Sequence, residues 1–415
     1  MTLGTINNKS GGQPAPRSVG VVKLNSVLLC TAPLQVVNTQ SAVDYLSERD
    51  GLSRKLFVIL IHPLLGPLVK KLILDIANTF DDVVVLDYSE AYEDMLKQRV
   101  TLKPSRISSL ITGVGRARSL IKSYQLYTER LGVEILKEIG TVDEIYCRGG
   151  CNHLEGFFLR SMGSVKTIIR VDDGHGDYIP VTWKYATINT YEIAHQFRRR
   201  LSVSFKLIGA ILITGQAGIA KNVFLKPRVK WSDSFSNLSR KNCKQIGRYV
   251  HGNIKKLSVF ASPYNSDRKI LILGSKIPNS RFGFTIEQEV EMYNASIDFI
   301  KQRHGVSEDQ IWYKHHPRLS QWSWNYKKNK LNSRLFDYEE CSLAEVEFCN
   351  PNLIAVYSPG STALIHANVL FNKPSFLIDL SREKSLHPAI YKQYKYVADL
   401  VGIPSIVWEG NKILG

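Results

Sequence analysis

Short apolar runs alternate with amphipathic segments along most of this chain, and that alternation restricts the fold more than any single motif does. Lys23–Thr31 (KLNSVLLCT), Leu56–Ile61, Val83–Leu86, Glu144–Cys147 and Lys166–Val171 each have the length and character of a buried strand. Helical apolar spacing over Val36–Leu46, Leu68–Ala77 and Arg116–Leu136 falls between them. Strands and helices in that order build a parallel sheet, because a parallel neighbour can be reached only by a crossover. The rhythm restarts with a strand at Lys269–Leu273, a helix over Ile286–Arg303 and a strand at Ile311–Tyr313. After a polar and aromatic stretch come an amphipathic segment near Leu343–Phe348, a strand at Leu353–Tyr357, a helix over Ser361–Leu370, and further strands at Ser375–Asp379 and Val397–Val401. A chain of 415 residues has room for two such domains. The expected class is α/β, with a flexible tail over 1–20 and two Rossmann-like domains over 21–245 and 246–415.

Charge narrows the partners. The net charge is +17, and the window from Gln196 to Lys256 carries +13 of it, with fourteen Lys or Arg against a single acid, Asp233. So uneven a field favours a polyanion: an anionic membrane face, an acidic polysaccharide or nucleic acid. A solvated basic face with no partner is the plainer account of the same numbers. The six cysteines are scattered, which suits reduced thiols in a cytoplasmic protein better than a disulfide framework. Cys147, Cys151 and His153 lie close together, but a fourth ligand at zinc spacing is missing, so no metal site is expected. No segment approaches a membrane span, and the first residues contain no apolar run of secretory type.

Three stretches carry chemistry. The strand at Ile311 runs into Lys314-His315-His316-Pro317-Arg318, and the proline stops the ladder, leaving His316 at a carboxyl edge. Open α/β sheets form their ligand crevices there, and a histidine beside an anion stays cationic near neutral pH. His315 is expected on the opposite face. Asp172-Asp173-Gly174 ends the Lys166–Val171 strand, where a carboxylate could take a proton from a substrate hydroxyl. Asp-Asp-Gly is equally the sequence of an ordinary turn. Pro359-Gly360-Ser361-Thr362 joins a strand to a helix, so its N–H groups and hydroxyls could seat one phosphate, or simply cap the helix. Neither a dinucleotide glycine fingerprint nor a P-loop is present.

An acidic pair before glycine, then His-Pro, then Ser-Thr, spread over two Rossmann-like halves, resembles the bacterial sialyltransferases. The likeness is to the lipooligosaccharide sialyltransferases and capsular polysialyltransferases. Ala32-Pro33-Leu34-Gln35 and Ile270–Ser275 (ILILGS) extend it over most of residues 25–405. The resemblance implies a GT-B type fold, with two Rossmann-like domains facing a central cleft: an acceptor-side domain with the base, and a donor-side domain. It also implies an inverting transfer of sialic acid from CMP-sialic acid to a terminal galactose or sialic acid of a bacterial surface glycan. Carried over, Asp172 is the general base and His316 the acid towards the CMP phosphate. Gly274, Ser275, His316, Pro317, Ser361 and Thr362 bind the nucleotide, and Asp173 and Gly174 shape the substrate loop. Some lipooligosaccharide enzymes have an acid just after the Gly-Ser; here Lys276 follows, so whether Asp172 or another acid is the base stays open. The implied partners are a nucleotide-sugar donor and a glycan acceptor. No further cofactor and no nucleic acid are expected, and residues 196–256 would contact the anionic inner-membrane face. The other readings are a GT-B transferase using a different nucleotide sugar, and a non-catalytic polyanion or nucleic-acid binder.

Overall fold

The computed structural model describes residues 25–50, 54–61, 65–88, 141–148, 167–172, 230–239, 243–261, 267–275, 284–317, 319–339, 342–383, 388–409 and 412–414, with positions 133, 137, 158 and 178. The expected tail, the expected helix over Arg116–Leu136, Asp173, Gly174 and most of the basic window lie outside these residues. The chain divides into two compact units, Met1–Asp173 with Asn189–Tyr249, and Gly174–Ile188 with Val250–Gly415.

The first unit holds a seven-stranded sheet in the order β3-β2-β1-β4-β5-β6-β7. Its strands are β1 Asn25–Cys30, β2 Arg54–Ile61, β3 Val83–Asp87, β4 Glu144–Cys147, β5 Thr167–Val171, β6 Lys230–Ser236 and β7 Lys244–Gln245. Every pairing is parallel. Helix α1 (Pro33–Asp50) connects β1 to β2, and α2 (Pro67–Phe80) connects β2 to β3. On α2, Val69, Leu72, Ile73, Ile76 and Ala77 are buried, the i, i+3, i+4 stripe of a helix laid on a sheet. Pro67 opens this helix, where a missing N–H costs nothing.

A second seven-stranded sheet organises the other unit, in the order β10-β9-β8-β11-β12-β13-β14. It comprises β8 Lys269–Leu273, β9 Ile311–Lys314, β10 Arg334–Leu335, β11 Leu353–Ser358, β12 Ser375–Asp379, β13 Ser405–Glu409 and β14 Lys412–Leu414. Among the described residues only the β13–β14 pair of this sheet is antiparallel. Helix α3 (Gly247–Lys256) runs across the division at Tyr249, and the helices among the described residues after it are α4 Ile286–His304, α5 Gln321–Lys328, α6 Ala344–Glu347, α7 Thr362–Val369 and α8 Pro388–Leu400. Thr285 and Gln288 form a capping box at the start of α4, and Gly305, at φ 60°, closes it in the left-handed region that favours glycine.

The α/β class and two Rossmann-like sheets agree with the sequence. One expectation is overturned: Val397–Val401 is not a strand but the end of α8 and its turn. Tyr391, Val397 and Ala398 are all buried, a helical spacing that a short apolar run hides. The closing strands are instead β13 and β14. The polar stretch before Arg334 contains α5, and the basic window contains β6 and β7, none of them expected.

Candidate active site

In the second sheet the chain moves outward from β8 to β9 and β10, then returns to the other side of β8 with β11, β12 and β13. The switch point therefore lies between β8 and β11, and an α/β sheet opens its ligand crevice at the carboxyl ends there. The loops leaving β9, β8 and β11 are His315-His316-Pro317, Gly274-Ser275 and Pro359-Gly360-Ser361. Five of the expected site residues thus lie in loops at one sheet edge, leaving three adjacent strands, and Thr362 opens the helix that follows.

These loops are tied together. The Gly274 amide donates to the Lys314 carbonyl at 2.8 Å. The Ser275 hydroxyl, buried, donates to the Gly360 carbonyl at 2.6 Å. Ser358 reaches back from β11, its hydroxyl donating to the Leu273 carbonyl at 3.1 Å while accepting from the Gly360 amide at 3.2 Å. The reason for glycine at 274 is steric. A Cβ there would stand 2.7 Å from the Tyr313 hydroxyl and 3.0 Å from the His316 nitrogen. Backbone alone fits the gap.

Ser361 is the N-cap of α7, its hydroxyl accepting from the Ala363 amide at 3.2 Å. Its O–H proton remains available to an anion, beside the positive end of the helix. Thr362 follows on the first turn, half-buried.

His315 turns inward against Tyr313 and Tyr338, with ring centroids at 6.4 and 6.0 Å. Burial, reinforced by the Lys327 cation, pulls its pKa down to about 4, so it is neutral at physiological pH. His316 is half-buried, and its carbonyl accepts from Leu319 at 3.0 Å, which closes the turn around Pro317.

Asp172 belongs to the first unit and follows β5. It is only 3% exposed. Its carboxylate accepts a short hydrogen bond from the Ser236 hydroxyl at the end of β6. Its carbonyl accepts from the Asn38 side chain on α1 at 2.7 Å, and its amide donates to the Phe235 carbonyl at 3.2 Å. Ser236 and Asn38 were not found from sequence, since neither lies in a motif. Only pairing of β5 with β6 makes Ser236 a neighbour of a residue 64 positions away. Among the described residues no group of His, Cys, Asp and Glu could hold a metal ion. Cys147 is a buried free thiol in β4, while Cys151 and His153 lie outside the described residues.

Two Rossmann-like sheets, one gathering a His-Pro turn, a Gly-Ser turn and a serine-capped helix at its switch point, make this an α/β protein of two Rossmann-like units, and its family is one of glycosyltransferases. More particularly, the chain belongs to the alpha-2,8-polysialyltransferase family, whose profile matches residues 26–379. Among solved structures, Os79 from O. sativa in complex with UDP is similar at 12% identity, over 94% of this chain and 88% of that one, with a TM-score of 0.46. A putative UDP-N-acetylglucosamine 2-epimerase from Listeria monocytogenes is similar at 11% identity, over 86% and 80%, with a TM-score of 0.44. The E. coli heptosyltransferase WaaC with ADP-2-deoxy-2-fluoro heptose is similar at 10% identity, over 92% and 99%, with a TM-score of 0.40. No curated protein matches the chain closely enough to count as a relative.

Proposed function

We propose that this glycosyltransferase moves sialic acid from CMP-sialic acid to the terminal sialic acid of a growing α2,8-linked chain on a bacterial surface glycan. Support for the linkage and acceptor comes from the family, and support for the donor comes from the second sheet's switch point. The observation that carries the reading is the convergence of His316, Ser275 and Ser361 on loops of adjacent strands β9, β8 and β11.

The proposed step balances as follows. The acceptor hydroxyl attacks the anomeric carbon from the face opposite CMP, its proton passing to Asp172. The bond from that carbon to the phosphate oxygen breaks, and the electron pair leaves with CMP. His316 donates a proton or a charged hydrogen bond to the departing phosphate. Ser361, Thr362 and the first-turn amides of α7 share the remaining charge. Positive charge building on the sugar has the oxocarbenium character common to glycosyl chemistry. CMP carries a single phosphate, so these donors suffice to neutralise it, and activity without divalent metal is expected. The basic window over 196–256 suits a polyanionic product or a peripheral position on an anionic membrane face. No helix among the described residues is long and apolar enough to cross a membrane.

Turnover of CMP-sialic acid on oligosialic acid, with and without chelator, tests the reading directly. Asp172→Ala and His316→Ala are each expected to lower the rate by roughly 10²–10⁴-fold, the usual contribution of a positioned acid or base. Undiminished activity in either variant removes that residue from the mechanism. Loss of activity on chelation removes the metal-free route.

A further inference from the structure

Behind the donor edge, within the same unit, lies a buried polar chain that no motif contains. Lys327 on α5 donates to the Glu289 carboxylate on α4 at 2.6 Å and to the Tyr313 hydroxyl on β9 at 3.1 Å. All three side chains are buried. Tyr293 on α4 packs edge-on against Tyr313, with ring centroids 4.9 Å apart. The chain ends at the site, because the Tyr313 hydroxyl stands 2.7 Å from where a Gly274 Cβ would be. Gly274 in turn is tied to Lys314, two residues before His316.

A buried ion pair is a poor way to stabilise a fold, since apolar side chains of similar volume often do as well. What it does supply is direction: an ammonium held by a carboxylate can point a hydroxyl at one place only. We propose that Glu289, Lys327 and Tyr313 are positioning residues that set the height of the Gly274-Ser275 turn against the His316-Pro317 turn, and so the grip on the donor's phosphate. The inference rests on the reading of this edge as the CMP site.

The chemistry of the neighbours fits. Burial pushes the Glu289 carboxyl up to about 7 despite the Lys327 cation, and burial pushes Lys327 down despite Glu289. The same lysine helps to keep His315 neutral.

Tyr313→Phe removes one oxygen and no packing. CMP affinity is measured by calorimetry on the full chain, alongside the kcat and KM for CMP-sialic acid. Tyr313→Phe is expected to weaken CMP binding and raise the donor KM by about 3–10-fold, the worth of one hydrogen bond, with a melting temperature close to the native one. Gly274→Ala is expected to weaken CMP at least about tenfold, because its Cβ meets the hydroxyl. In the Tyr313→Phe background that penalty should shrink at least about threefold, the nearest obstructing atom being gone while the His316 nitrogen at 3.0 Å remains. If wild-type protein does not bind CMP, the donor-site reading falls and this inference with it. If the wild type binds CMP but Tyr313→Phe binds equally well, or the two substitutions act additively, the positioning role alone is overturned.

Discussion

Lys269, the first residue of β8, should be the most costly single charge to strand in this molecule. Its ammonium donates to Glu347 on α6 at 2.7 Å, and both side chains are 0% exposed. The Trp312 and Phe336 rings lie 5.9 and 5.2 Å from the nitrogen. Removing Glu347 takes away the carboxylate that this ammonium is bonded to. A ring face can recover about 2 kcal/mol or more for a desolvated cation, but both of these rings lie towards the outer reach of about 6 Å, whereas breaking a buried pair from one side costs about 3–5 kcal/mol. Glu347→Leu and Lys269→Met should therefore each lower the stability of this unit by about 3 kcal/mol or more. The double substitution should return to within about 1 kcal/mol of wild type, because no charge is then left buried. Urea unfolding of the full chain, followed by tryptophan fluorescence, reads this unit preferentially, since Trp312, Trp322, Trp324 and Trp408 all belong to it. Single substitutions costing less than about 1 kcal/mol, or a double that costs the sum of the two, would show that water reaches the pair and that the reasoning is wrong.

Two further outcomes follow from the same unit. His315 has a folded pKa of about 4 against 6.5 when unfolded, so its contribution to stability is complete above pH 6.5 and is lost as the pH falls towards 4. Glu289, raised to about 7, acts in the opposite sense between pH 4.5 and 7, which makes the difference from a variant the informative quantity. Stability of His315→Phe relative to wild type should rise by about 2–3 kcal/mol between pH 6.5 and pH 4; a difference independent of pH would refute burial of the ring nitrogens. Ser361→Ala should lower stability by about 1 kcal/mol through the lost cap and should also weaken CMP binding. A full stability loss with CMP affinity unchanged would make Ser361 a cap and nothing more.

How much was legible in advance depended on how local each feature is. Strands such as Lys269–Leu273 are readable because five consecutive residues are all buried, and their composition says so. The capping of α4 and α7 is readable because it involves residues three positions apart or fewer. By contrast, β6 reads KWSDSFS, too polar to be recognised as a strand until its neighbour β5 is known. The α8 segment was misassigned because a short apolar run serves a helix and a strand equally well.

The amino-acid sequence alone determined the α/β class, the position of His316 beyond a proline-stopped strand, and the serine-capped turn at Ser361. The last two are encoded within about ten residues of chain, and the first in an alternation of short segments that recurs along it. Only the tertiary structure decided that β8, β9 and β11 are neighbours, that Gly274 has no room for a side chain, and that Ser236 holds Asp172. It also decided that Lys269, Lys327, Glu289 and Glu347, ordinary surface residues by composition, are buried in pairs separated by 78 and 38 residues. A charged side chain can leave water only where its partner is already in place, and which partner arrives is settled by how the sheet is ordered.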